Sequence, residues 1–413
     1  MADEFRIERY RRADREQVFD LMRAAYPADQ VARETRQWDW KHDANPFNAD
    51  AERYRIDLRP RILPFIRAAA RPEDLTAMEL RGPQAASLDE PYCVMLKSGA
   101  QLAGILCLVP QRFCIAGAEH WAIIGSNFIV HPGYRGRKLS VRLSLTMRAD
   151  NAMNINFTNQ SGQGSARSVT RTLRGKAAAQ PDTPDVEIFG TQPLIPLFKP
   201  IDWREVAGYL SDNGALKSGA AFLGAGIDVV RKTIFPSPAP REVNIREVDS
   251  FDDRIDALWT RVGADYPVMA ARDRRYLRWR FHARPDVSYR YLIALRGDDI
   301  VGYMVFRMAP RDGMRCGYII DYVAENRSRE VFSLLLAQAE ASMRQDGAKA
   351  IICAVAPAPY RATLWRSGYF PARLAATSYL NAEHHTIDPA LAIFADLRQW
   401  FVTSGDGDLD FSY

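Results

Sequence analysis

The sequence predicts an α/β protein with a mixed α+β sheet in each of two tandem domains, and helices flanking both sheets. Apolar runs of strand length alternate with amphipathic helical segments, as in α/β and α+β folds. The same order of elements occurs twice, before and after a proline-rich segment at 236–242, PSPAPRE. A chain of 413 residues is also longer than one ordinary core requires. We therefore expect a first domain at 1–203, a connecting helix and linker at 204–242, and a second domain at 243–413.

In the first half, apolar alternation and turn signals predict a regular succession of strands and helices. A strand at 5–9 leads into a helix that Asp14 caps and that runs to Ala25. The segment 97–100, KSGA, joins two strands as a β-hairpin. A helix follows the strand at 123–130. The strands predicted for this half are 5–9, 92–96, 102–110, 112–115, 123–130, 152–159 and 186–190.

The second half repeats this order, and matching motifs indicate an internal duplication. The motifs are Trp40-Lys41 with Pro46 against Trp279-Arg280 with Pro285, at identical spacing, and Leu102-Ala103-Gly104 against Ile300-Val301-Gly302. A hairpin around 296–299, RGDD, is followed by strand, helix, strand and helix. The elements predicted for this half are strands at 243–248, 289–295, 300–308, 317–324 and 350–356, and helices at 252–262, 329–343 and 359–367.

Composition and charge argue against several classes of function. The 55 basic and 50 acidic residues leave a net charge of +5, which does not favour a nucleic-acid partner. The segment MADEFRIERYRRADRE lacks the apolar region of a signal peptide, and no uncharged apolar run reaches membrane-spanning length. Five scattered cysteines without a Cys-x-x-Cys pair indicate reduced thiols, and the six histidines form no ligand pattern. We expect a cytoplasmic protein without membrane insertion, nucleic-acid partner or metal.

The first half is organised around the stretch at 121–148, WAIIGSNFIVHPGYRGRKLSVRLSLTMR. It predicts a buried strand, a tight turn, a basic loop and a helix whose apolar residues recur every fourth position. Arg135, Arg137 and Lys138 lie in the loop, where the positive end of the helix dipole and several backbone N–H groups also point. Such a combination suits a phosphate or pyrophosphate. The alternative is a surface turn with solvated basic residues.

The same stretch resembles a known family. Val130-x-Pro132-x-Tyr134-Arg135-Gly136-Arg137 is similar to the acyl-CoA-binding strand–loop–helix of GNAT acetyltransferases. The family's loop reads Arg/Gln-x-x-Gly-x-Gly/Ala and here spans 135–140. Lys138 stands where the family usually has glycine, so it narrows the pocket or adds a charge contact; Ser140 stands where the family has glycine or alanine. The segment 364–369, LWRSGY, resembles the family's closing Leu-x-x-x-Gly-Phe segment.

The resemblance implies acyl transfer from a CoA thioester to an amine. In that fold two central parallel strands, here 123–130 and 152–159, splay apart, and backbone groups in the gap bind the pantetheine. A backbone N–H there can also polarise the thioester carbonyl. The co-substrate would be acetyl-CoA or another acyl-CoA, and the acceptor a small molecule. The residues expected to bind acyl-CoA are Phe128, Ile129, Val130, Arg135, Gly136, Arg137, Lys138, Leu139, Ser140 and Asn159, although Asn159 would equally serve as a turn residue that caps the next helix.

The sequence does not identify a catalytic base or acid. Glu119, His120 and His131 lie near the right strand, but each is more often an ordinary loop residue. The tyrosine that often acts as the family's acid is missing from 162–175. The aromatic residues Trp38, Trp40 and Phe47 either line an acceptor site or pack in the core, and the repeated Trp279 favours the core.

The C-terminal segment GDGDLD places Asp406, Asp408 and Asp410 at alternate positions. It lacks the downstream glutamate of a calcium loop, so we expect a solvated tail. Its pattern resembles the C-termini of tandem GNAT proteins of bacterial polysaccharide loci, which makes an amino sugar one candidate acceptor.

Three functions compete, of which an acyl-CoA-dependent N-acyltransferase leads. A Fem-type aminoacyl transferase, also built from two GNAT-like halves, would need a strongly basic groove and no pyrophosphate loop. A non-catalytic GNAT-like module would have a decayed loop. We also expect only the first half to bind acyl-CoA, because the matching loop at 325–330, ENRSRE, contains no glycine and carries two glutamates.

Overall fold

The computed structural model describes most of both halves of the chain. Its residues fall into two compact units: unit 1 is Met1–Gln192 with Ala283–Asp286 and Tyr379–Leu397, and unit 2 is the remainder. No helix in the described part is long and apolar enough to cross a membrane. The described residues are 5–53, 90–137, 139–150, 153–158, 192–210, 226, 233, 242–371, 378–384, 391, 393–394, 396–407 and 410.

The described strands and helices are numbered here along the chain. Strands β1 to β16 are Phe5–Arg9, Cys93–Ser98, Gln101–Ile115, Ala118–Val130, Met153–Thr158, Gln192–Leu194, Leu197–Pro200, Asn244–Val248, Val268–Ala270, Arg290–Arg296, Asp299–Arg311, Met314–Ala324, Ala350–Cys353, Phe370–Pro371, Ser378–His384 and Trp400–Phe401. Helices α1 to α9 are Arg15–Ala25, Ala28–Trp38, Asn48–Arg53, Leu139–Asp150, Trp203–Leu210, Arg254–Val262, Arg274–Leu277, Arg329–Gln345 and Ala358–Arg366. Two π-helical turns lie at Asp39–Asp43 and Arg278–His282.

The sheet of unit 1 runs in the order β1-β2-β3-β4-β5-β15. Along this order β4 and β5 pair in parallel, and the other pairs are antiparallel. Apolar residues of α1 and of the end of α2 pack on one set of strand side chains, including Cys93 and Cys107. Leu139 and Leu143 of α4 pack on the alternate set. The mixed sheet with helices on both faces confirms the predicted fold class.

The sheet of unit 2 runs in the order β14-β7-β13-β12-β11-β10-β8. Again one pair, β12 with β13, is parallel and the remaining pairs are antiparallel. The long helix α8 buries an apolar face that includes Val331, Leu335 and Ala339. Unit 2 therefore repeats the arrangement of unit 1, in line with the order of elements predicted from the second half.

Two strands lie in a different unit from the one that the predicted boundaries imply. Strand β7, inside the range 1–203, pairs antiparallel with β13 of unit 2, where Lys199 is buried and bonded to Glu340. Strand β15, inside 243–413, pairs antiparallel with β5 of unit 1. Each supplies hydrogen-bond partners to the outer edge of a parallel strand. An edge accepts any strand with suitable geometry, so local pattern does not reveal which one it receives.

Strand lengths also differ from the prediction in the first hairpin. The strands predicted at 102–110 and 112–115 form one continuous strand, β3, because Gln111 pairs with Ala122 and the ladder to β4 continues to Ile115. The predicted strand at 350–356 ends at Cys353. The strand predicted at 186–190 and the linker at 236–241 lie outside the described residues.

The repeated glycines mark the closest approach of a helix to each sheet. A methyl group added to Gly104 would lie 3.1 Å from Leu143 Cδ1 and from the Ile129 carbonyl oxygen. One added to Gly302 would lie 2.8 Å from Val331 Cγ1. A side chain at either position would clash, so glycine is needed for the helix to pack at this distance. This explains why the repeated motif ends in glycine in both halves.

We expect Gly302→Ala to lower the free energy of unfolding by about 1–3 kcal/mol, because overpacked cores must shift backbone and rotamers. The added methyl would also meet the Val323 carbonyl oxygen at 2.9 Å. Urea unfolding of the full chain, followed by tryptophan fluorescence, measures the change. Asp299→Ala, at an exposed position of the same strand, is the control. Equal stability of Gly302→Ala and wild type would contradict the close approach.

Candidate functional site

The parallel pairing of unit 1 is short. Among the described residues β4 and β5 pair only at Ile123–Asn154 and Ile124–Ile155, although β4 continues to Val130. On its other edge β4 stays paired with β3 up to Gly104–Val130. The two central strands therefore diverge beyond Ile124, as the resemblance predicted.

A β-bulge interrupts β4 inside the diverging part. Ile105 pairs with Ile129 and Cys107 with Ser126, so Asn127 and Phe128 together oppose one residue of β3. Asn127 has a left-handed backbone, with φ of 43°. Bulges bend a strand and redirect its side chains, and they are common beside functional sites.

A cavity of about 250 Å³ lies at the end of β4. Helix α1 closes one side through Ala25 and Tyr26. Seven residues that the sequence predicted for acyl-CoA binding line it: Phe128, Ile129, Val130, Arg135, Gly136, Leu139 and Ser140. Arg137 is exposed nearby, with its guanidinium 5.3 Å from the centre of the Tyr134 ring. Lys138 and Asn159 lie outside the described residues.

The loop that forms one wall of the cavity is held in place by its own contacts. His131 Nδ1 accepts a hydrogen bond from the backbone N–H of Gly133 (3.1 Å). Tyr134 Oη donates to Gln101 Oε1 (2.8 Å), and its ring packs edge-on against Phe5. Gly136 has φ of 83°, and a Cβ there would meet no atom within 4 Å. The loop is thus anchored at Tyr134 and open in front of Gly136, where a ligand could approach the backbone.

None of the three histidine or glutamate candidates for a base is among the cavity-lining residues. Glu119 is exposed at the start of β4 and pairs with Arg112 (3.1 Å). His120 lies next to it, and His131 caps the turn. Glu119 and His120 therefore lie at the opposite end of β4 from the cavity, and His131 lies in the turn after β4 without lining it.

A polar group that the sequence did not reveal lies beside the bulge. Asn127 Nδ2 donates to Glu34 Oε2 of α2 (2.9 Å), and Asn127 Oδ1 lies 2.9 Å from His42 Nε2. Ser126 Oγ also donates to Asn127 Oδ1 (3.0 Å). We call Glu34, His42, Ser126 and Asn127 the bulge cluster. Its sequence signal, a histidine inside the repeated tryptophan motif, does not indicate which strand it faces.

The aromatic residues around His42 are buried. Trp38, Trp40 and Phe47 are 1%, 6% and 2% exposed, and Trp38 Nε1 donates to Tyr10 Oη (3.1 Å). These contacts favour the core interpretation over an acceptor site. Burial raises the pKa of Tyr10, with the nearby Asp43 carboxylate adding to the effect.

One cluster in the same core has metal-ligand chemistry. One ligand atom each of His42, Cys93 and Cys107 lie within 4.8 Å of one another, and all three side chains are buried. The two cysteines are direct cross-strand partners on β2 and β3. Burial raises the pKa of Cys107 well above its ordinary value. Sequence spacing gave no hint of this set, because its members come from three separate elements.

In unit 2 the position of Asn127 is taken by Asp321. Pairing of Gly302 with Ala324 matches that of Gly104 with Val130, and a bulge again follows in β12. Asp321 is fully buried and accepts hydrogen bonds from Arg272 (3.2 Å), Tyr303 (2.7 Å) and Thr403 (2.7 Å). The counterpart of the neutral amide is therefore a buried, paired carboxylate.

The C-terminal segment, expected to be a solvated tail, is buried in unit 2. Asp406 and Asp410 are 3% and 1% exposed. Arg272 Nη2 donates to Asp406 Oδ2 (2.7 Å), and Arg307 Nε donates to Asp410 Oδ1 (3.0 Å). Two buried guanidinium groups require carboxylate partners, and this requirement overrides the polarity of the segment. Burial also raises the pKa of Asp406, against the opposing effect of Arg272. Asp408 lies outside the described residues.

The tail covers the bulge of unit 2. Gly405 N donates to the Ile320 carbonyl oxygen (2.9 Å), and a Cβ on Gly405 would lie 3.0 Å from both Asp321 Cβ and Phe281 Cζ. The loop after β12 also differs from that of unit 1: Glu325 pairs with Arg261 (2.9 Å), and Ser328 caps α8 through Val331 N (3.2 Å). In unit 2, residues of the chain itself therefore cover the bulge and bond to the loop after β12.

Comparison with known proteins agrees with this architecture. A GCN5-related N-acetyltransferase from Anabaena variabilis superposes with a TM-score of 0.51, over 91% of this chain and 72% of that one. The chain has the fold of the GNAT acyltransferases. A conserved protein from Enterococcus faecalis, a probable N-acyltransferase, gives a TM-score of 0.50 over 92% and 72% of the two chains. Sequence identity to each is 10%. No family model matches the sequence, and no curated protein matches it. The comparison of structures therefore confirms the GNAT fold that the loop motif predicted, whereas the comparisons of sequence found no match.

We expect Asp410→Ala to destabilise unit 2 by about 3–5 kcal/mol, because it removes the carboxylate bound to buried Arg307. Differential scanning calorimetry of the full chain measures the loss. Asp312→Asn removes the charge of a carboxylate that is 59% exposed and 3.7 Å from Arg311, and asparagine tolerates the left-handed backbone there (φ 48°), so its effect should stay below about 1 kcal/mol. If both variants lowered the stability by similarly small amounts, the result would contradict the burial of Asp410 against Arg307 and favour a solvated C-terminal segment.

Proposed function

We propose that the chain is an acyl-CoA-dependent N-acyltransferase, with acetyl-CoA as the expected co-substrate and a small amine as acceptor. The cavity at the end of β4, past the last described pair of that strand with β5, is the observation that carries the proposal. It combines a GNAT fold with a ligand-sized space at the end of the strand and the start of the following helix. Amino sugars are the first acceptors to test, because the C-terminal pattern resembles that of tandem GNAT proteins of polysaccharide loci.

The residues present suit a CoA thioester. Phe128, Ile129 and Val130 line the cavity at the end of β4, where backbone groups beyond the last described pair with β5 would bond the pantetheine amides. Exposed Arg135 and the open left-handed turn at Gly136 stand at the start of α4, where phosphates are favoured. When bound, acyl-CoA would supply an activated acyl group, and a backbone N–H near the bulge would polarise its carbonyl.

Only unit 1 is proposed to bind acyl-CoA. The loop of unit 2 carries Glu325 next to the helix start, and a carboxylate there repels phosphate. The bulge of unit 2 is covered by Gly405 and holds the charge of Asp321 against Arg272. Unit 2 then contributes structure and the acceptor side of the protein.

The proposal is tested by binding and then by turnover. Thermal-shift measurements with acetyl-CoA, a longer acyl-CoA and free CoA should raise the melting temperature, since ligands stabilise the state they bind. Mass spectrometry should then detect N-acetylated product from a panel of glucosamine, galactosamine, spermidine and free amino acids. A Fem-type enzyme would show no CoA effect and would instead bind aminoacyl-tRNA. Binding without any product would indicate a non-catalytic module.

We expect isothermal titration calorimetry of the intact chain to give a single CoA site. Arg135→Glu together with Lys138→Glu should abolish CoA binding, because two charged contacts of about 1–3 kcal/mol each are lost. Arg327→Glu, in the matching loop of unit 2, is the control and should leave the affinity unchanged. Two CoA sites per chain, or CoA binding by residues 243–413 alone, would contradict the proposal that only unit 1 binds acyl-CoA.

A further inference from the structure

The bulge cluster is a directional chain of hydrogen bonds. Glu34 as a carboxylate only accepts, so the Asn127 group bonded to it must be the amide nitrogen (2.9 Å). Asn127 Oδ1 then accepts from Ser126 Oγ and from His42, whose Nε2 carries the proton (2.9 Å). The orientation of the amide and the tautomer of the imidazole are both set by Glu34. This order holds the Glu34 carboxylate against the bulge.

The cluster adjoins the cavity through the backbone of β4. Asn127 directly precedes Phe128 and Ile129, which line the cavity, and the bulge places Asn127 in a left-handed conformation. The side chain of Glu34 is 14% exposed, which leaves it reachable from solvent. A carboxylate thus stands beside the strand segment at which a thioester would lie.

Two other carboxylates of unit 1, Asp43 and Asp286, are less suited to accept a proton. Asp43 is buried and bonded to Arg15 and Tyr10. Asp286 is bonded to Arg284 (2.9 Å); burial opposes ionisation there, but Arg284 and Gln37 prevail and the pKa of Asp286 is lowered. Glu34 has a neutral amide at 2.9 Å, while the guanidinium of Arg33 is 4.0 Å away. Glu34 is therefore held in place by the amide of Asn127, with the exposed Arg33 at the outer limit of ion-pair distance.

Resting on the proposed acyltransferase function, we propose that Glu34 is the base that takes a proton from the acceptor ammonium. Asn127 and His42 are positioning residues. The ammonium gives one proton to Glu34, the freed nitrogen lone pair forms the N–C bond, and the C–S bond breaks. The departing thiolate takes the second proton lost by that nitrogen and becomes CoA thiol, and Glu34 returns its proton to water.

Unit 2 offers an internal comparison. At the spacing of the repeat, Asp273 stands where unit 1 has Glu34, and its carboxylate caps α7 through the backbone N–H of Tyr276 (2.8 Å). Asp321 stands at the bulge in place of Asn127 and is bonded to Arg272. The matching strands and helix of unit 2 therefore hold a buried network of ion pairs. The open amide-to-carboxylate arrangement belongs to the unit whose loop has the GNAT motif.

Steady-state kinetics of the full chain test the assignment. Glu34→Gln keeps the shape and can still accept a hydrogen bond from Asn127, but it cannot take a proton. With acetyl-CoA and glucosamine, or the panel amine that turns over fastest, kcat should fall about 100-fold or more. The acetyl-CoA Kd from titration calorimetry should not change. Hydroxylamine, which is unprotonated at neutral pH, should show a much smaller loss.

Further variants separate catalysis from structure. Glu34→Asp keeps a carboxylate and should recover part of kcat. Asn127→Gly tolerates the left-handed backbone and removes the amide, so it should lower kcat and shift the acidic limb of the pH–rate profile while the acetyl-CoA Kd stays the same. Asp29→Asn removes an exposed carboxylate from the same helix and should behave as wild type.

The outcomes of the kinetics are distinct. Turnover by Glu34→Gln equal to wild type, or an equal loss with glucosamine and hydroxylamine, would falsify the assignment of Glu34 and leave the acyltransferase proposal standing. A wild-type chain that binds acetyl-CoA and acylates no amine overturns the proposed function together with the base. A selective loss with the protonated amine, restored in part by Glu34→Asp, supports both.

Discussion

The site in unit 1 depends on a parallel strand pair that is joined over a very short length. Strand β5 is paired with β15 through six consecutive residue pairs, from Tyr379–Thr158 to His384–Met153. Its hydrogen bonds are therefore satisfied on one edge while the other edge departs from β4 after Ile124. Unsatisfied backbone groups are costly when buried, so such a gap is stable where it opens to solvent or to a ligand. The cavity lies at the end of β4, where Leu139 and Leu143 of the following helix pack against the sheet.

The two units show how one framework supports different chemistry. Each has a π-helical turn at its repeated tryptophan, a glycine under a helix and a bulge in the strand that diverges. At the matching position beside each bulge, unit 1 has the amide of Asn127 and unit 2 has the carboxylate of Asp321. Once Asp321 is buried it requires Arg272, and Arg272 in turn holds Asp406 and the C-terminal segment. A change of one side chain at the bulge thus goes with a sealed surface in one unit and an open one in the other.

Much of the secondary structure followed from local pattern, because strand alternation and helical periodicity are properties of neighbouring residues. The strand at 5–9 and the helix ending at Ala25 have the predicted limits. The loop motif at 135–140 also pointed to the residues that line the cavity, since a basic turn at a helix start is contained in a short segment. Glu34 and His42 could not be found in this way. They precede Asn127 by 93 and 85 residues, and nothing in their own segments marks a common site.

By itself the sequence determined the class of fold, the repeated order of elements and the basic character of the loop, because each depends on residues close together in the chain. Tertiary structure alone decided which strand completes each sheet, since β7 and β15 satisfy edges that are distant in sequence. It also decided that Asp406 and Asp410 are buried, because a polar segment enters a core only when guanidinium groups from other elements are already there. Pairing across the fold, unlike periodicity, is set by which charges and edges remain to be satisfied.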